Sequence, residues 1–324
     1  MTYAEAGVSL DAADEVVSRL QKAVASTKTP RVLSGLGGFA GLLSAEGYRD
    51  PVLATGTDGV GTKLLLQREL GRFHEAGIDL VGMCVNDVLT CGAEPLLFLD
   101  YVAVGKLDPE RVALLVEGIA DGCRQSGAAL LGGETAELAD LYAPDDFDLA
   151  GFALGVVERD AVVDGSNVSV GDAVVGIPSS GVHSNGFTLV RRLMERASIG
   201  VTDAPAGLLA PTRIYAPEVK ALQAAVSVRA MAHITGGGVD GNLPRVLPAG
   251  LGASLDEELW ERPAVFDWLA GLGVEHDEMR RVFNMGLGFL AIVASGDVAA
   301  ALAAVPDSRV VGQVVVGSGV AYRG

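Results

Sequence analysis

Three acidic residues sit in settings where a carboxylate does chemistry rather than only face water. Asp58 lies in Gly56-Thr57-Asp58-Gly59-Val60-Gly61-Thr62-Lys63, Asp87 in Cys84-Val85-Asn86-Asp87, and Glu134 in Gly132-Gly133-Glu134-Thr135-Ala136-Glu137. No Cys/His zinc pattern accompanies them, and oxygen-only donors suit Mg²⁺ better than Zn²⁺. Asp58, Asp87 and Glu134 are therefore the candidate metal ligands. The glycines of the first segment expose backbone amides to a phosphate, and Lys63 is one of only five lysines in the chain. The order Gly-Thr-Lys differs from the Gly-Lys-Thr of a P-loop. Cys84 falls in an apolar stripe and reads as core.

Two further polar segments follow apolar runs. Ser179-Ser180-Gly181-Val182-His183-Ser184-Asn185-Gly186 precedes a helical pattern whose N-terminus can hold an anion. His233-Ile234-Thr235-Gly236-Gly237-Gly238 repeats the logic with three glycine donors in series. His183 is one of four histidines and the one placed inside such a constellation. His74 and His276 read as surface residues, and Trp260 and Trp268 as packing residues. Gly35-Leu36-Gly37-Gly38-Phe39-Ala40 has the outline of a dinucleotide fingerprint, but only Val32 and Leu33 precede it as strand and no clean helix follows. It reads as a loop.

The elements that must carry these groups alternate. Strands are expected at 52–55, 96–104, 128–131 and 147–157, with helices at 11–25, 77–91 and from Asp108-Pro109 to about Ser126. After the turn-rich Asp164-Gly165-Ser166-Asn167 come strands at 172–177, 228–234, 286–294 and 309–316, and helices at 187–196, 263–283 and 297–304. This order predicts an α/β (α+β) chain of two domains, 1–163 and 164–324. In both, the glycine segments are expected as loops directly after strands.

Composition narrows the partners. The chain has 324 residues, 24 Lys+Arg and 41 Asp+Glu, a formal net charge of −17. So acidic a surface repels nucleic acid, and a phosphate ligand must be met by amides, a few cations or a metal. Three cysteines without a C-x-x-C pair argue against a disulfide framework. No signal-peptide pattern opens the chain, and the apolar segment 287–305 is interrupted by Ser295, Gly296 and Asp297. The expectation is a cytoplasmic protein that does not engage membranes.

Taken together with Gly92-Ala93-Glu94-Pro95, Phe98-Leu99-Asp100-Tyr101, Ala210-Pro211-Thr212-Arg213-Ile214-Tyr215 and Phe283-Asn284-Met285-Gly286, these segments resemble the phosphoribosylformylglycinamidine cyclo-ligase family over nearly the whole chain. The resemblance implies a homodimer whose amino-terminal domains build a shared β-barrel, with a carboxy-terminal α/β sandwich domain in each chain. It implies ATP-dependent ring closure of formylglycinamidine ribonucleotide to aminoimidazole ribonucleotide, through a phosphorylated amide, with Mg²⁺. Carried onto this chain, it places ATP and phosphate at Gly59, Gly61, Thr62, Lys63, Asn86, Gly133 and Thr135. Substrate falls to Ser180, His183, Ser184, Asn185, Thr235, Gly236 and Gly237. Lys63, Asp87, His183 and Asn185 take the catalytic roles: Lys63 carries residual phosphate charge, His183 moves a proton and Asn185 orients the substrate amide. Related architectures are disfavoured by the absence of Cys from residues 1–50 and by the ending Ala321-Tyr322-Arg323-Gly324. A nucleotide-binding regulator and a dehydrogenase using the Gly35 segment are the alternatives from other classes.

Overall fold

The computed structural model describes residues 10–34 and 40–323, with the backbone alone for residues 10–14. The glycine segment 35–39 lies outside the described residues. The chain divides into two compact units, residues 1–88 with 94–159 and residues 89–93 with 160–324.

The first unit contains α1 (Leu10–Ser26), β1 (Pro51–Gly59), α2 (Lys63–Glu69), α3 (Phe73–Leu89), β2 (Glu94–Val104), α4 (Pro109–Ser126), β3 (Ala129–Glu137) and β4 (Phe147–Glu158). Its sheet has the order β1-β4-β2-β3. β4 runs antiparallel to β1 and β2, and β3 is parallel to β2. α4 starts where the sequence says it should. Asp108 accepts hydrogen bonds from the Glu110 and Arg111 amides, Pro109 occupies the first turn, and left-handed Gly127 ends the helix. One face of the sheet is covered by α3, whose Leu80, Val81, Cys84, Val85 and Val88 are buried. A Cβ at Gly151 would lie 2.4 Å from Phe98 Cζ and 2.8 Å from Cys84 Sγ, so Gly151 faces that helix. On the opposite face Leu53, Leu99, Tyr101 and Phe152 are exposed.

The structure departs from expectation at the two glycine segments of this unit. Gly56 to Gly59 and Gly132 to Glu137 are strand, the ends of β1 and β3, rather than loops after strands. Their glycines serve close packing. A Cβ at Gly56 would fall 2.9 Å from the Cys84 carbonyl oxygen, and one at Gly133 would fall 2.0 Å from Asp100 Oδ1.

The second unit contains β5 (Ala173–Pro178), α5 (Phe187–Ala197), α6 (Ala216–Ala225), β6 (Val228–His233), α7 (Gly238–Asn242), β7 (Leu251–Asp256), α8 (Ala264–Gly271), α9 (His276–Val282), β8 (Leu287–Val293), α10 (Val298–Ala304), β9 (Arg309–Val316) and β10 (Val320–Arg323). The sheet order is β10-β7-β9-β5-β8-β6. Every residue of β8 is buried, which is why 286–294 reads as one unbroken apolar run. β8 lies antiparallel between β5 and β6. The carboxyl ends of β5 and β6 therefore meet the amino end of β8 at the same edge. Val174, Ala232, Leu255, Leu290 and Val311 form part of the core. The helical stretch expected at 263–283 is two helices, broken around left-handed Gly273. α6, β7 and β10 carry no strong sequence pattern; β10 is a four-residue edge strand beside β7.

Candidate functional site

In the first unit, pairing sets which side chains share a face. Asp58 is opposite Gly151, Gly151 is opposite Asp100, and Asp100 is beside Gly133. Residues paired this way point to one side of the sheet, here the side of α3. Asp58 Oδ1 accepts the Gly59 N–H at 2.7 Å. Asp87 leaves α3 on an exposed edge, with its Cβ 3.7 Å from where a Gly56 side chain would begin. Burial, with the charges of Asp58 and Asp87, pushes the Cys84 thiol up to about 12. Cys84 is thus a packing residue, and Asp58 and Asp87 both act on its thiol.

Glu134 stands apart from them. It follows Gly133 on β3, so it projects to the opposite face, and two strands lie between β3 and β1. At roughly 4.8 Å per strand that is about 14 Å across the sheet. Among the described residues no group of three or more His, Cys, Asp or Glu side chains is gathered as a metal ion needs. Gly56, which alternates with Asp58 on the α3 side of β1, approaches Asp87, so Asp58 and Asp87 lie on one side of the sheet. Two hard carboxylates are a donor set of the kind Mg²⁺ takes together with phosphate oxygens and water.

Lys63 also departs from expectation. Its Nζ donates to Asp79 at 2.8 Å, Gln67 Nε2 donates to the other oxygen of Asp79 at 2.7 Å, and both charged side chains are fully buried. Burial lowers the Lys63 pKa while Asp79 opposes the shift. In place of the exposed phosphate contact expected from the sequence, Lys63 makes an internal tie between the start of α2 and α3. Exposed Gly61 and half-buried Thr62 and Gly59 leave this bend open. Asn86 is buried, Thr135 is half-buried, and Gly133 is exposed.

Sequence reasoning missed the partners Asp79 and Gln67, and it missed Asp100. Burial pushes the Asp100 carboxyl up to about 7, opposed only by its own backbone N–H. A signal existed: Asp100 interrupts an otherwise apolar strand.

In the second unit, the segment after β5 is pinned by the one before β8. Asn284 Nδ2 donates to the Gly181 carbonyl at 2.9 Å, and Asn284 Oδ1 accepts from Ser179 Oγ at 3.0 Å and the Gly286 amide at 2.9 Å. Ser180 Oγ donates to the Pro211 carbonyl at 2.5 Å, and Ser184 Oγ pairs with Thr212 Oγ1 at 3.0 Å. Left-handed Gly186 opens α5 without a side-chain cap of its own. The segment after β6 closes on itself: Asn242 Nδ2 donates to the Gly238 carbonyl at 2.8 Å and the Gly236 carbonyl at 3.2 Å. Gly238 must be glycine, because its φ is +59° and a Cβ would lie 1.8 Å from the Arg280 carbonyl oxygen.

The two segments meet. A Cβ at Gly236 would fall 3.3 Å from Asn185 Oδ1. Asn185, Thr235 and Gly237 are half-buried, and Ser180 and Gly236 are exposed. The fold gathers these residues at one rim of the sheet, in the manner of α/β ligand sites at strand ends. His183 is different. Its ring is fully buried beside Tyr215, its φ is +63°, and Nε2 accepts the Ser180 N–H at 3.2 Å. With that nitrogen accepting from the Ser180 amide and the ring out of solvent, the imidazole helps to fix Ser180.

Comparison with known proteins follows this architecture. Residues 40–157 match the family model "AIR synthase related protein, N-terminal domain", and residues 169–323 match "AIR synthase related protein, C-terminal domain". The molecule is thus a two-part AIR synthase related protein. A curated phosphoribosylformylglycinamidine cyclo-ligase from Anaeromyxobacter sp. (strain Fw109-5) is 53% identical over 334 aligned positions, covering 98% of this chain and 97% of that one. The chain belongs to the phosphoribosylformylglycinamidine cyclo-ligase family and is an enzyme of the ligase class. Among solved structures, thiamine-monophosphate kinase from Stenotrophomonas maltophilia K279a has a TM-score of 0.71 at 17% identity, covering 96% of each chain. The hydrogenase maturation protein HypE, solved in complex with ATP, has a TM-score of 0.68 at 18% identity, covering 93% of this chain and 86% of that one. These two share the fold.

Proposed function

We propose that this enzyme closes the imidazole ring of aminoimidazole ribonucleotide in purine biosynthesis, using ATP. The observation that carries the reading is the full-length 53% identity to a cyclo-ligase, and the gathered rim of the second unit supports it. An amide oxygen is a poor leaving group. Transfer of the γ-phosphoryl of ATP to the amide oxygen of formylglycinamidine ribonucleotide gives ADP and an imidate phosphate. The neighbouring amidine nitrogen then attacks that carbon, the C–O bond breaks, phosphate leaves, and the nitrogen loses its proton. Overall, the oxygen of one water's worth of mass departs in the phosphate.

Such a transfer depends on positioning and charge neutralisation. Asp58 and Asp87 would hold Mg²⁺, which when bound offsets triphosphate charge. The amides of Gly59, Gly61 and Thr62, with Asn86, Gly133 and Thr135, serve the nucleotide. Lys63, through Asp79, keeps the bend at 59–62 in place. In the second unit, Ser180, Ser184 and Asn185 orient the substrate, and the Thr235-Gly236-Gly237 amides take its ribose phosphate. The first domain (1–163) is read as the nucleotide and dimerisation part and the second (164–324) as the substrate part.

A homodimer through the sheet of the first unit fits the exposed Leu53, Leu99, Tyr101 and Phe152, and Glu134 opens to that same face. The net charge of −17 disfavours nucleic acid, no helix among the described residues is long and apolar enough to cross a membrane, and the cytoplasm is the proposed location. Incubating the purified chain with ATP, Mg²⁺ and formylglycinamidine ribonucleotide tests the reading. ADP, phosphate and a ribonucleotide lighter by one water are expected. If all reactants are present and no such product forms, the reading is wrong.

A further inference from the structure

The chain turns sharply from Asn284 to Leu287 as it enters β8. The Leu287 N–H donates to the Asn284 carbonyl at 3.0 Å, and the central residues Met285 and Gly286 have φ of +52° and +98°. Positive φ at both central positions marks a type I′ turn, for which Asn-Gly is the favoured pair. Methionine has neither glycine's freedom nor the short polar side chain that eases asparagine into this conformation. A residue so placed persists only where its surroundings enforce it.

The enforcement comes from residues 260–263, between β7 and α8. The Trp260 indole N–H donates to the Met285 carbonyl at 3.0 Å. A Cβ at Gly286 would lie 2.8 Å from the Glu261 carbonyl oxygen and 2.9 Å from Pro263 Cδ, so the same segment closes over the second central residue. Trp260 packs against the core of the second unit, which holds its ring in place, and Met285 is itself buried. From the turn the connection runs on to the polar rim. The Gly286 carbonyl accepts the Ser179 N–H at 2.9 Å, and Asn284 Oδ1 accepts Ser179 Oγ at 3.0 Å.

We propose that Trp260 is a positioning residue for the ribonucleotide: by holding Met285 left-handed it sets where Gly286 grips Ser179, and through Ser179 the placing of Ser180 and Asn185. The inference rests on the reading above, that 179–186 takes the substrate. Packing is the role the sequence suggests for Trp260, and the indole N–H adds this second one. Without that donor Met285 relaxes toward ordinary φ and the Gly286 carbonyl turns away from Ser179.

Trp260→Phe keeps a ring on the core and removes the donor; circular dichroism checks its fold. Deuterium uptake without ligand should quicken about three- to tenfold in peptides covering 178–186, the scale of one hydrogen bond, with β9 unchanged. The dissociation constant for formylglycinamidine ribonucleotide, measured without ATP, should rise by about the same factor, while that for ADP with Mg²⁺ stays within about twofold. Glycine is at ease with positive φ. The same Trp260→Phe change made in a Met285→Gly chain should therefore alter ribonucleotide binding by less than about twofold, a non-additivity that plain packing loss does not produce. Unchanged uptake in 178–186 overturns the inference, as does an equal rise in β9, which would show general loosening. A Trp260→Phe effect of full size in the Met285→Gly chain also overturns it. Wild-type chain that does not bind the ribonucleotide overturns the substrate reading, and the positioning role with it. Normal wild-type binding that Trp260→Phe leaves unchanged overturns the positioning role alone.

Discussion

At the scale of single residues, a fully buried lysine and a half-buried aspartate of the first unit sit in opposite settings. Lys63 has a carboxylate at 2.8 Å, whereas desolvation dominates the ionisation of Asp100, opposed by its own backbone N–H. Removing one partner of a buried pair leaves the other charge uncompensated, typically at about 3–5 kcal/mol, while replacing both by apolar groups can be nearly neutral. Asp79→Leu is therefore expected to lower unfolding free energy by about 3–5 kcal/mol in urea melts, and Lys63→Met with Asp79→Leu to recover most of it. Loss of turnover in that stable double variant would mark the pair as a positioning device for the bend at 59–62.

Asp100 predicts a pH dependence. Its folded pKa, about 7, lies above the ordinary 3.8, so the fold favours the protonated form. The associated stability is fully present below about pH 4 and is lost as pH rises through 7. Asp100→Asn should therefore be more stable than wild type at pH 8, by about 2–4 kcal/mol, with the gap closing toward pH 4. Melting temperatures across that range check this; a gap that widens in acid would contradict it.

At the scale of elements, the rim of the second unit is held by residues outside the substrate segments. Asn284 ties the segment after β5 to the start of β8 by three hydrogen bonds, with Ser179, Gly181 and Val182. Buried groups left without partners cost roughly 1–3 kcal/mol each. Asn284→Ala should destabilise the chain by about 2–4 kcal/mol and raise KM for the ribonucleotide more than KM for ATP. An equal rise in both would show global loosening instead. The 179–186 segment depends on this bracing because it lies outside any strand or helix that could fix it, and Asn242 does the same for 236–238.

At the scale of the whole molecule, two predictions concern what joins the chain from outside. One chain supplies no three-ligand metal centre among its described residues, so the divalent ion is expected to arrive with the nucleotide. Excess chelator should abolish ADP release yet leave the melting temperature of the nucleotide-free protein unchanged; a large drop would reveal a resident structural metal. The apolar face bearing Leu53 and Phe152 is the proposed dimer surface. Leu53→Glu with Phe152→Glu should shift the mass measured by light scattering from two chains to one. An unchanged mass would place the interface elsewhere.

The sequence by itself determined most of the elements and the polar segments that belong together in the second unit. β8 is legible because a strand covered on both sides must be apolar throughout, and α4 because Asp108, Pro109 and Gly127 satisfy its ends locally. Only the tertiary structure decided the rest. Whether Gly56–Gly59 and Gly132–Glu137 are loops or strands depends on neighbours that demand the missing Cβ, Cys84 for one and Asp100 for the other. Whether Lys63 is a free cation depends on Asp79, sixteen residues away. Asp58 and Glu134 look alike in their motifs, yet strand order and the two-residue alternation of side chains put them on opposite faces of one sheet. Long-range pairing sets those facts, and local pattern cannot encode them.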